Sequence, residues 1–169
     1  MFSKDAKDEI ARVAANRACC SATFVHTLLR FNANNVAGGQ RRLITSERGS
    51  VIRAALHTAH RAGLAAHSRS APSHRAGQRW TVTTPDARGL RPRSLPPAKS
   101  CCRRAWLRAA FLSCGSVSDP SRGYHMEFAC HDEAAARQLC AGLAALHVDS
   151  GLTRRRRRPV VYVKDAQTV

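Results

Sequence analysis

Acidic residues are scarce in this chain. Eleven Asp and Glu stand against 28 Lys and Arg in 169 residues, a net charge of +17. Lysine is scarcer still: Lys4, Lys7, Lys99 and Lys164 are the whole supply, so 24 of the basic residues are arginines. A deficit of acids this deep disfavours self-association and favours polyanions, whether DNA, RNA or an anionic membrane. Arginine adds a bidentate fork and a planar face, which lysine lacks. A GC-rich genome raises Arg and Ala together, and much of the count is such drift, but the field is the same either way. Aromatics are also few, at 5%, so the core must be built from Ala, Leu and Val. No uncharged apolar run approaches the roughly 20 residues of a membrane helix. Residues 1–10 carry Lys4, Asp5, Lys7, Asp8 and Glu9 with no apolar stretch after them, which speaks against a secretory signal. A cytoplasmic chain with reduced thiols is expected. The odd number of cysteines, 7, argues against a complete disulfide framework.

What is present repeats. ACCSATFVHTLLRFNA (Ala18 to Ala33) and SCCRRAWLRAAFLSCG (Ser100 to Gly115) align at an offset of 82, Cys19–Cys20 over Cys101–Cys102 and Phe24 over Trp106. Both have helical apolar spacing: Phe24, Leu28 and Phe31 in one, Trp106, Ala110 and Ser113 in the other. Each is followed by strand-like residues (Arg42 to Thr45; Tyr124 to Cys130) and a second helix, with Ser50 and Asp132 as expected N-caps. Each second helix leads through a basic loop to another strand, Trp80 to Thr84 or Val160 to Lys164. The unit reads helix, hairpin, helix, strands, twice over. Small residues Thr27, Ala109 and Ala110 would let the two first helices meet closely at a pseudo-twofold axis. Pro85 to Ser100 holds four prolines, so it is expected to be a linker. His67 to Gly77 reads as a flexible loop.

Arg154 to Arg158 are consecutive and precede the strand VVYVKD. They read either as a phosphate-contacting loop or as a solvated charge run. The pairs Cys19–Cys20 and Cys101–Cys102 could suggest zinc or redox chemistry, but adjacent cysteines rarely converge on one ion. Packing at the helix starts is the favoured reading, and no metal ligands are assigned. Cys130 and Cys140 read as small core hydrophobes. Of the eight histidines, His57 and His60 alone have helical spacing, which reads as surface chance.

The stretch CCRRAWLRAAFLSCGSVSDPSRGYHMEF (Cys101 to Phe128) resembles the second half of the N-terminal domain of the WhiA family. KDEIARV (Lys7 to Val13), CCSATFVHTLLRFNA (Cys19 to Ala33) and VVYVKD (Val160 to Asp165) support it, so the resemblance covers nearly the whole chain. It implies an α+β fold of two LAGLIDADG homing-endonuclease-like pseudo-repeats, the second truncated. The expected organisation is an N-terminal helix and first repeat over 1–84, a Pro/Arg-rich linker over 85–100 and the second repeat over 101–169. The family's closing helix and helix-turn-helix domain would follow VYVKD and are absent from this sequence. In the endonucleases each first helix ends in an acid, and the two acids hold divalent metal for phosphodiester cleavage. The matching positions here are Asn32 and Cys114, neither able to supply a hard anionic oxygen, so no catalytic residue and no enzyme activity are expected.

By the same resemblance, Arg41, Arg42 and Arg79 fall on or beside the DNA-facing strands. With Arg154, Arg155, Arg156, Arg157, Arg158 and Lys164 they make up the expected DNA-binding set. Glu127 on such a face would repel phosphate. The implied function is a non-catalytic, double-stranded DNA-binding part of a transcription regulator of sporulation and cell division, nucleoid-associated, with other transcription factors as further partners. No cofactor, membrane or small-molecule substrate is expected. The alternatives are a protein-interaction scaffold, an active nuclease and a general RNA binder.

Overall fold

The computed structural model describes residues 2–13, 15, 17–32, 39–73, 77–85, 97–119, 121, 123 and 125–163. An N-terminal helix α1 (Phe2–Arg12) precedes two similar units. The first is α2 (Ala18–Phe31), β1 (Arg41–Ser46), α3 (Gly49–Arg61), β2 (His67–Ser73) and β3 (Gly77–Thr84). The second is α4 (Ser100–Cys114), β4 (Gly115–Val117), β5 (Met126–Ala129), α5 (Glu133–Ala144), β6 (Gly151–Arg155) and β7 (Arg158–Val163). Each unit carries one antiparallel sheet, ordered β1-β3-β2 and β4-β5-β7-β6. The second unit has a hairpin before its second helix. The first shows one strand there among the described residues, which omit 33–38. Residues 86–96, most of the expected linker, also lie outside the described residues.

The two units meet through α2 and α4. Cysteines near the start of each helix come together, and Asn32 at the end of α2 bonds Ser113 at the end of α4, so the helices run parallel. Thr23, Thr27, Ala105 and Ala109 are buried. The hydroxyls of this helix pair are satisfied within their own helix: Thr23 donates to the Cys19 carbonyl at 2.9 Å, Thr27 to that of Thr23 at 2.7 Å, and Ser113 to that of Ala109 at 2.8 Å. Each of these hydroxyls spends its proton within its own helix, Ser113 also accepting from Asn32 across the seam, and small side chains let the backbones approach.

On either side of the pair lies an apolar cluster. One holds Phe24, Val25, Leu28, Ile44, Val51 and Val82, with Cys102, Ala105, Ala109 and Leu112 of α4. The other holds Trp106, Phe111, Phe128, Leu139, Val161 and Val163, with Phe31 of α2. Helix α4 therefore feeds both cores. Fully burying side chains of this size stabilises by about 1.5–3 kcal/mol each, and Trp106, Leu28 and Phe128 are among the most enclosed.

The expected cap Ser50 proved different. Arg48 occupies the N-cap of α3 and makes no side-chain cap bond, while the Ser50 hydroxyl bonds Asp8 on α1, which also pairs with Arg48. Helix α1 thus docks on the start of α3 through charge. Asp132 does cap α5, accepting from the Ala135 amide at 2.6 Å, and this bond holds its carboxyl below the ordinary carboxylate range. His67 to Ser73 is a strand, not a loop. It is the exposed edge of its sheet, so it carries no alternating apolar signal, and its Pro72 is tolerated at an edge. Likewise Arg154 to Arg158 form a hairpin rather than a loop.

Gly142 of α5 sits against the indole of Trp106, and a Cβ there would overlap the ring. Trp106 is fully buried and has no room to yield. Gly142→Ala should therefore lose about 1–3 kcal/mol to overpacking, outweighing the ~1 kcal/mol gain in helix propensity. A lower urea midpoint with an unchanged m-value would show it. Asp132→Ala should cost about 1 kcal/mol through the missing cap. Because the folded pKa is depressed, the stability that Asp132 contributes is present above the unfolded carboxylate pKa and is lost as pH falls through the folded value. Denaturation midpoints of wild type and Asp132→Ala should hence converge at acid pH.

Candidate nucleic-acid interface

Residues directly opposed across antiparallel strands share a sheet face. In the first sheet Ile44 opposes Val82, both buried, and marks the helix-covered face. The other face then carries Arg42 opposite Thr83, Thr45 opposite Thr81, His67 opposite Thr83, Arg69 opposite Thr81, and Arg79 opposite Ala71. Arg41 is exposed but opposes Thr84, on the face away from Arg42. Arg79 is paired with Glu47 at 3.3 Å. Arg69 and His67 escape a reading of the sequence because their strand has no apolar alternation.

In the second sheet Phe128 opposes Val161 on the covered face. Glu127, Tyr162, Arg155 and Arg158 lie on the other. The five arginines therefore separate. Arg154 turns to the helix side and binds Glu133 in the first turn of α5 at 2.6 Å. Arg155 binds Glu127 at 2.6 Å. His125 also reaches Glu127, at 2.5 Å. The acid expected to repel phosphate is thus compensated locally. Arg156 and Arg157 form the hairpin tip, both with positive φ, 49° and 66°. Such two-residue turns ordinarily use Asn-Gly, and a left-handed conformation costs an ordinary residue roughly 1–2 kcal/mol. Two exposed arginines held there, with no acidic partner among the described residues, are a strained display of charge. Lys164 lies outside the described residues.

Between the two outer faces, at the C-terminal ends of α2 and α4, opens a polar cleft of about 480 Å³. Its lining includes Asn32, Ser113, Cys114, Arg42, Thr45, His131 and Arg158. Asn32 donates to the Ser113 hydroxyl at 2.7 Å and to the Leu28 carbonyl at 3.1 Å. Arg42 is half-buried, and its enclosed Nε has no hydrogen-bond partner among the described residues. Outside the cleft's lining, near this end of α4, Lys7 of α1 donates to the Leu112 carbonyl at 3.3 Å and stands 5.8 Å from the centre of the Phe111 ring. Burial holds its pKa below the usual lysine value. The Cys114 thiol is raised well above its usual range by a hydrogen bond with Cys130 and by burial, so it stays neutral. The helix feet thus present an amide, a neutral thiol and nearby cations.

At the opposite ends of the same helices the vicinal cysteines pack against the first core cluster, as expected, but they also converge. The sulfurs of Cys19, Cys20, Cys101 and Cys102 all lie within 4.8 Å of one another. Parallel packing superposes the two helix starts, which a linear reading of adjacent cysteines cannot foresee. Burial, with a hydrogen bond to Cys101, pushes the Cys20 thiol up to about 12, and the same hydrogen bond lowers that of Cys101.

Two parallel helices at a pseudo-twofold seam, each ending above one antiparallel sheet, define a LAGLIDADG-type fold. Comparison with solved structures agrees: the N-terminal LAGLIDADG domain of a DUF199/WhiA protein superposes with a TM-score of 0.85 at 17% identity, over 99% of this chain and 86% of that one. I-DmoI in complex with its target DNA superposes at 0.53 with 9% identity, over 86% and 87%. The chain is similar to WhiA proteins over nearly its whole length. Residues 103–169 match the WhiA LAGLIDADG-like domain, and the "Probable cell division protein WhiA" of Desulforudis audaxviator is 30% identical over 99% of this chain. The chain spans 60% of that relative's length. No helix of the described residues is long and apolar enough to cross a membrane.

The Asn32–Ser113 bond ties the two helix feet. A double-mutant cycle of Asn32→Ala and Ser113→Ala should give a coupling of about 1 kcal/mol, as for one neutral hydrogen bond; a coupling near zero would show that the feet are held by apolar packing alone.

Proposed function

We propose that this chain is a non-catalytic, DNA-binding module of a WhiA-type regulator of cell division and sporulation genes, acting on the nucleoid in the cytoplasm. The observation that carries the reading is the cleft at the helix feet, where Arg42 and Arg158 from opposite units flank the seam and Arg42 keeps an unanswered N–H. Arg69 and the strained Arg156–Arg157 tip extend this positive surface along the outer sheet faces. Phosphate oxygens are the natural acceptors for such a surface, and contacts of this kind position a duplex without reading its sequence. I-DmoI, a protein of like fold, was solved in complex with its target DNA, which supports DNA as the partner. By the resemblance to LAGLIDADG endonucleases, Asn32 and Cys114 fall where those enzymes place metal-binding acids, and the Lys7 charge acting on Cys114 makes the spot still less hospitable to Mg²⁺. The module therefore holds DNA without cutting it.

Fluorescence anisotropy with a labelled duplex, titrated at several salt concentrations, tests the reading. Binding should weaken steeply with salt. Replacing both Arg156 and Arg157 by alanine should flatten the log–log slope by about 1.8, some 0.9 for each phosphate that is no longer neutralised. Arg154→Ala should leave the slope unchanged, because that side chain is committed to Glu133. A folded chain that ignores duplex DNA at low salt would sink the proposal and favour the protein-interaction scaffold.

Supercoiled plasmid should stay intact with the chain and either Mg²⁺ or Mn²⁺. Linear product that appears with metal and vanishes with chelator would restore the nuclease reading.

A further inference from the structure

The N-terminal ends of α2 and α4 hold four free thiols from the two units at one point of the seam. Within each vicinal pair the sulfurs are 3.9 Å apart. A tetrahedral zinc site with Zn–S bonds of about 2.3 Å has S···S edges of about 3.8 Å. Two of the six edges therefore already have the required length. The other four lie within 4.8 Å, so a closing movement of roughly 1 Å completes the tetrahedron.

The surroundings suit an anionic cluster. Neither helix has a side-chain cap, and neither has an acid in its first turn, so unpaired backbone amides and the positive helix ends face the sulfur region. Helix N-termini favour thiolates. Arg17 acts on Cys101. Cys20 and Cys102 are buried, whereas Cys19 and Cys101 are half-exposed, which leaves a path for an ion to enter. Plain apolar packing would be served by alanine and gives no reason for four sulfurs to share one position.

We propose that Cys19, Cys20, Cys101 and Cys102 form a four-thiolate site for a structural, thiophilic divalent ion of the zinc class, clasping the two units together. The ion displaces the thiol protons to solvent and makes four metal–sulfur bonds; no electron is transferred. The clasp sits a helix length away from the cleft, on the order of 20 Å at 1.5 Å per residue. It ties residues that lie 82 positions apart and would stabilise the folded chain over the unfolded one.

The whole chain, reduced and stripped with chelator, is titrated with Zn²⁺ and, in parallel, with Co²⁺ followed by absorbance. The expected result is one ion per chain, a tetrahedral cobalt–thiolate spectrum, a raised Tm, and four of the seven thiols shielded from maleimide. Cys101→Ser, at a half-exposed position, should weaken binding on the order of 100-fold, at least as much as loss of an outer-sphere partner costs. Cys101→His should recover binding with the altered spectrum of a three-sulfur, one-nitrogen site. Cys140→Ser, on α5, should bind as wild type. A chain with intact far-UV circular dichroism but no cobalt–thiolate bands would overturn the proposal. So would zinc that shields no thiol, or a disulfide between the two helices as the sole chemistry of the cluster.

Discussion

The parallel contact of α2 with α4 is the constraint on which the rest of the structure depends. Neither sheet can be placed without it, because each hangs from the unit whose first helix lies in the seam. The seam is narrow because its residues are small and because Thr23, Thr27 and Ser113 return their hydroxyls to carbonyls one turn back. Two apolar clusters flank it, and α4 contributes to both. A shift of one helix would therefore strain both cores at once. The same geometry sets the chemistry at its two ends: thiols converge at one, and an amide, a thiol and a lysine gather at the other.

Charge is apportioned by the few acids. Asp8 engages Arg48, Glu47 engages Arg79, Glu133 engages Arg154, Glu127 engages Arg155, and Asp132 approaches Arg30. Most of these pairs are partly exposed and each is worth little to stability. Their effect is assignment. They commit some arginines to docking helices and leave Arg42, Arg69, Arg156 and Arg157 facing the outer surface. In a chain with 24 arginines, the surface that can answer a phosphate is therefore decided by where 11 acids fall.

Much of this could be read in advance, for identifiable reasons. The doubled apolar spacing around Phe24 and Trp106 marked both first helices, since a 3.6-residue period survives in the letters alone. Strands β1, β3, β5 and β7 were legible because each has a buried face. The edge strands β2 and β6 were not, since edges with little burial need no apolar alternation. Ser50 looked like a cap, but an acid 42 residues earlier claimed its hydroxyl. The run Arg154 to Arg158 looked uniform, yet strand alternation sends Arg154 to the helix side and Arg155 to the outer face, and two of its members turn the chain.

By itself, then, the sequence determined the charge, the repeat and the absence of acids at the two helix feet, because composition and periodicity are local properties. Only the tertiary structure decided which arginines share a face, that Lys7 reaches the foot of α4, and that four cysteines meet. Those facts depend on parallel helix packing and strand register, which join residues far apart in the chain and leave no local trace in the letters.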